Sequence, residues 1–132
     1  MKDNIIQKKS YDFALQIIYL YRKLCQANEF VLSKQLLRSG TSIGANVEEA
    51  QAGQSKADFT SKMSIASKEA RETNYWLRLL RDSGLISAIE ADLLLVESES
   101  IINILTSIVK TSSQNSTNSK SKIQNSKSKP LP

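Results

Sequence analysis

A chain of 132 residues that is 40% hydrophobic can bury one core without disulfide or metal support, and it is too short to require a second domain. Its single cysteine, Cys25, excludes an intramolecular disulfide, and its lack of histidine excludes Ser-His and Cys-His catalysis and the Glu-x-x-His pairs of two-metal bundles. The formal charge of +5 belongs mostly to the C-terminal end: Lys120, Lys122, Lys127 and Lys129 follow the last acidic residue, Glu99, and without them 14 basic side chains face 13 acidic ones.

From Lys2 to about Ala27, Ile6, Phe13, Ile17, Leu20 and Leu24 recur at helical spacing, with Ala14 and Tyr21 widening the stripe. This predicts helix one. Gln26-Ala27-Asn28 breaks it, and Asn28 is the expected N-cap of helix two, with Glu29 in the first turn where a carboxylate favours the helix dipole. Helix two, Glu29 to about Ala52, holds the unusual run Arg38-Ser39-Gly40-Thr41-Ser42-Ile43-Gly44-Ala45-Asn46-Val47-Glu48-Glu49-Ala50. Each glycine there costs about 1 kcal/mol relative to alanine. Leu32, Leu36, Ile43 and Val47 nevertheless keep helical register through it, so the run reads as one helix built of small residues. Gly40 and Gly44, one turn apart, then invite close approach of a neighbouring backbone, with Ser39, Ser42 and Asn46 beside them as polar partners. Asn46 is expected to fix register and oligomeric state.

Gly53-Gln54 closes helix two, and Ser55-Lys56-Ala57-Asp58 has the spacing of a capping box that opens helix three. Phe59, Met63, Ala66, Ala70, Thr73, Leu77 and Leu80 alternate steps of four and three, the seam of an antiparallel bundle. Ala66 and Ala70 make its middle small enough to receive the glycine face of helix two. Ser83-Gly84 ends helix three, and Ser87-Ala88-Ile89-Glu90 opens helix four, which runs to about Lys110 with more apolar residues than one face can bury. That surplus is expected either to meet another subunit or to form a broad buried face inside one bundle. The segment 111–132 is Ser, Asn, Gln and Lys, repeats Asn118-Ser119-Lys120-Ser121-Lys122 at Asn125 to Lys129, and is expected to be disordered for want of anything to bury. Four helices joined by short breaks predict an all-α, up-down-up-down bundle over 1–110. No apolar run approaches the roughly 20 residues needed to span a bilayer, and Met1-Lys2-Asp3-Asn4 does not open a signal peptide, so a cytoplasmic location without membrane contact is expected.

Three blocks resemble a known family. Lys9-Ser10-Tyr11-Asp12-Phe13-Ala14, the run Leu36 to Ala50, and Ala66-Ser67-Lys68-Glu69-Ala70-Arg71-Glu72-Thr73-Asn74-Tyr75-Trp76-Leu77 are similar to the 23S rRNA-intervening-sequence proteins, over nearly everything but the tail. The resemblance implies a left-handed antiparallel four-helix bundle assembled as a ring, typically a homopentamer, and it implies no catalytic role. Structural relatives of that family include the accessory proteins of diversity-generating retroelements, basic pentamers that engage a reverse transcriptase and nucleic acid. The near-neutral body of this chain departs from their pattern.

No residue set calls for catalysis, a cofactor or a metal. Glu48, Glu49, Glu69 and Glu72 are expected in ion pairs, the last two with Lys62, Arg71 and Trp76 nearby, and the aromatic residues are expected in core or interface. Ser42 and Cys25 have no histidine base. The sequence therefore predicts a non-enzymatic, self-assembling binding or scaffold protein, with itself and a protein as partners. The alternative is an RNA- or DNA-binding accessory protein whose Lys8, Lys9, Arg22, Lys23, Lys34 and Arg38, with the tail, contact phosphates. Gly44→Leu is expected to overpack the close helix crossing.

Overall fold

The computed structural model describes residues 5–128, with side chains to Gln114. Four helices, α1 (Ile5–Gln26), α2 (Val31–Gln51), α3 (Lys56–Asp82) and α4 (Ala88–Ser128), make up the all-helical bundle, each packed on the next and α4 returning to α1. The pairing is antiparallel: Ser39 of α2 meets Thr73 of α3 while Glu49 meets Lys62, and Arg81 of α3 meets Asp92 of α4 while Thr60 meets Ser112. The predicted stripes form the core. Phe13, Ile17, Leu36, Ile43, Met63, Leu77, Ile101 and Leu105 are wholly enclosed, and the seam of α3 is buried from Met63 to Leu80 with Phe59 half-buried at its start.

The ends of the helices explain their lengths. At the end of α1 the Glu29 N–H donates to the Leu24 carbonyl at 2.9 Å and the Asn28 N–H to Cys25 at 3.0 Å, a Schellman closure that puts Asn28 at φ 65°. Asn28 thus terminates α1 and does not cap α2. The cap is the Glu29 carboxylate, which accepts the N–H groups of Leu32 and Ser33 at 3.2 and 2.8 Å, so α2 starts at Val31 and not at Glu29. Asparagine tolerates the left-handed region better than other side chains, and that preference wins here over its preference for N-caps. Gly84 closes α3 in the same way at φ 81°, Leu85 donating to Leu80 and Gly84 to Arg81. Ser55 and Ser87 cap α3 and α4 as their spacing predicts, accepting from Asp58 and Glu90.

One boundary differs more widely. Helix α4 does not stop near Lys110: residues 111–114 continue it, and Ser112 is buried against Thr60 of α3. The tail expected to be disordered therefore continues α4 as far as Ser128, and the rest of that expectation, residues 129–132, lies outside the described residues.

Candidate interaction surfaces

The small-residue run of α2 has two flanks, and they do different things. Gly40 and Gly44 face α1. A Cβ at Gly40 would lie 2.8 and 2.9 Å from the two γ carbons of Ile17, whereas one at Gly44 would sit 3.5 Å from the Ser10 carbonyl oxygen, an ordinary contact. The close crossing foreseen for the glycines is therefore with α1, not with the Ala66–Ala70 stretch, and Gly40 is the tight position. Ala66 and Ala70 are wholly enclosed in the core.

The polar flank looks the other way and mostly satisfies itself. Ser42 donates to the Arg38 carbonyl at 2.6 Å, Thr41 to Leu37 at 2.7 Å, and the Asn46 amide to Ser42 at 2.8 Å, all one turn back along the same helix. Half-buried Asn46 thus makes its hydrogen bond within α2 and none to another helix of the subunit among the described residues. The polar contact between helices is made by Ser39 and Thr73, both fully buried, whose hydroxyls meet at 2.9 Å across the α2–α3 seam. A hydroxyl in an otherwise Ala, Met and Leu seam was the available sign.

Charges close the seams from outside. Arg38 spans from α2 to both Glu69, at 3.4 Å, and Glu72, whose Oε2 also accepts the Trp76 indole N–H at 2.9 Å. The carboxylates of α3 are thus ion-paired as expected, but through Arg38, while Lys62 holds Glu49 and Arg71 donates to Thr106. Of the six cations expected to contact phosphates, Lys8 pairs with Asp12 on its own helix, Lys9 with Glu97 at 2.8 Å, Lys23 with Glu90 at 2.7 Å, and Arg38 as described. Only Arg22 and Lys34 have no carboxylate within 4.0 Å among the described residues, and they stand on different helices. The six form no common patch of uncompensated charge.

Neither candidate nucleophile gains a base. The Cys25 Sγ lies 4.0 Å from Ser33 Oγ, and hydrogen bonding to Cys25 raises the Tyr21 phenol above its ordinary pKa. Among the described residues no group of three or more His, Cys, Asp or Glu side chains is placed to hold a metal ion, and no helix is long and apolar enough to cross a membrane.

The least closed side of the molecule is the α1–α4 edge. Ile89, Leu93 and Val96, at helical spacing on α4, are 78%, 71% and 66% exposed. An open groove of about 440 Å³ joins Ile89 and Leu93 to Gln16 and Tyr19 of α1, with the Lys23–Glu90 pair at its rim. Tyr11 and Leu15 are also exposed on α1, in steps of four that turn away from α4. The tyrosines of α1 expected in core or interface are hence outside the core.

The family model of the 23S rRNA-intervening sequence protein matches residues 2–107, the bundle from α1 through most of packed α4. The chain belongs to this family. Among solved structures it is similar to a protein of unknown function from the S23 ribosomal protein family of Bacteroides thetaiotaomicron VPI-5482, with 48% identity and a TM-score of 0.79 over 80% of this chain and 99% of that one. No curated protein matches the chain.

Proposed function

We propose that this family member is a non-enzymatic scaffold that works as a closed ring of identical subunits, five in number as its family resemblance implies, and presents repeated surfaces to a protein partner in the cytoplasm. The observation that carries the reading is the exposed α1–α4 face. Tyr19, Ile89 and Leu93 line its open groove, and Tyr11, Leu15 and Val96 stand exposed elsewhere on the outer surfaces of the same two helices. Exposed apolar side chains gathered along one open groove mark an interaction site. A second copy of the chain is the occupant. A ring needs two different surfaces on each subunit. Phe30 and Val31, exposed at the start of α2 on the helix diagonal to α4, supply apolar area off the first face. Cyclic repetition then converts weak single contacts into avidity for a partner.

Light scattering coupled to size-exclusion chromatography on the full chain tests this, with Leu93→Glu as the probe. The expected result is a pentamer for the wild type and a monomer of unchanged helical content for the variant. A monomeric wild type, or a variant that stays assembled, overturns the reading.

A further inference from the structure

Of the seven cations with no ion-pair partner among the described residues, Arg22, Lys34 and Lys56 stand elsewhere and four collect in one place. Lys68, Arg71, Arg78 and Lys110 have no carboxylate within 4.0 Å among the described residues, and all four line one groove between α3 and α4. The groove is two adjoining hollows of about 310 and 290 Å³ that share Arg71. Ser67, Thr106 and Asn103 add neutral hydrogen-bonding groups to its walls, and Glu99 is the one acid among its lining residues.

The arginines are held without being neutralised. Arg78 Nε donates to Asn74 Oδ1 at 2.9 Å, and Asn74 is itself anchored to buried Ser98. Arg71 donates to the Thr106 hydroxyl at 3.1 Å. Each guanidinium is therefore positioned by uncharged partners while keeping its full charge and its remaining donors, unlike Arg38, whose charge is spent on Glu69 and Glu72. Beside them Tyr75 is nearly half exposed, with the Arg78 guanidinium carbon 5.8 Å from its ring centre. From Ser64 to Arg78 the lined face of α3 runs about 21 Å at the helical rise, long enough for several consecutive phosphates.

We propose that this groove binds single-stranded nucleic acid, its phosphates tracking Lys110, Lys68, Arg71 and Arg78 and a base stacking on Tyr75. Positioned cations beside an exposed aromatic ring are the combination that single strands use and that duplexes, whose base faces are covered, do not. The proposal does not require ring assembly, because the residues that line this groove and those that line the α1–α4 groove, among them Tyr19, Ile89 and Leu93, are separate sets.

The test is fluorescence anisotropy of a labelled 20-nucleotide oligo-U and oligo-dT with the full chain at 50 mM salt, repeated at 200 mM. Binding that weakens tenfold or more over that range is expected. Arg71→Gln/Arg78→Gln should weaken it at least tenfold, Tyr75→Ala about fivefold or more, and Arg22→Gln/Lys34→Gln less than threefold. Circular dichroism on each variant separates loss of binding from loss of fold, and Tyr75→Phe, which keeps the ring, should bind as the wild type does. Absence of binding at 50 mM salt, equal loss in the Arg22/Lys34 control, or competition by a poly-glutamate peptide as effective as unlabelled oligo-U would overturn the proposal.

Discussion

Along α1, the edge that meets α2 and the edge that meets α4 are built on opposite plans. On the α2 side Gly40 lets Ile17 in so closely that no Cβ fits, and both residues are sealed from solvent. On the α4 side two lysine–glutamate pairs, Lys9–Glu97 and Lys23–Glu90, hold the rim, and Ile89 and Leu93 stand open beside Tyr19. A closed edge derives its strength from packing, which tolerates no added volume. An open edge leaves apolar surface unspent and available to a second molecule.

The contrast can be broken at several points, in falling order of effect. Gly40→Ala should cost about 1–3 kcal/mol in denaturant unfolding, because enclosed, β-branched Ile17 has little freedom to turn aside; a wild-type midpoint would mean that the crossing is not tight. Thr73→Val, at the neighbouring α2–α3 seam, should cost about 1–2 kcal/mol by leaving the Ser39 hydroxyl without its cross-helix contact. Adding Ser39→Ala should then cost less than the two single changes added together, which a double-mutant cycle would read directly. At the open edge, Lys9→Ala with Lys23→Ala should cost less than about 1 kcal/mol per pair, since these side chains are partly or largely exposed and screened by salt. The smallest net change is expected from Gly44→Ala. Its Cβ has ordinary room against Ser10, and the gain in helix propensity, up to about 1 kcal/mol, should leave the thermal midpoint equal to or slightly above the wild type.

Periodicity made the helices and their buried faces legible, because a stripe of apolar residues at threes and fours can be satisfied by little else. The glycines announced a close crossing for the same kind of reason. Which helix crosses there was not legible. Gly40 and Ser39 are adjacent in the chain yet lie on opposite flanks of α2, one toward α1 and one toward α3, and one-dimensional spacing does not distinguish two neighbours of one helix. Asn28 misled because the same side chain suits an N-cap and a left-handed C-terminal turn, and only the carbonyls of Leu24 and Cys25 decide between them. The pairing of the cations was not legible. Lys8, Lys9, Lys23 and Arg38 look available in sequence, but their carboxylates arrive from one turn away or from other helices.

The single tryptophan is placed to report on all of this. Its indole N–H shares Glu72 Oε2 with Arg38, and its ring stands edge-on to Tyr75 with centroids 5.2 Å apart. Trp76 emission is therefore coupled on one side to the bridge between α2 and α3 and on the other to the tyrosine at the basic groove. Loosening of that bridge and occupation of that groove should change the colour and intensity of one intrinsic fluorophore, so the molecule carries its own optical gauge of both events.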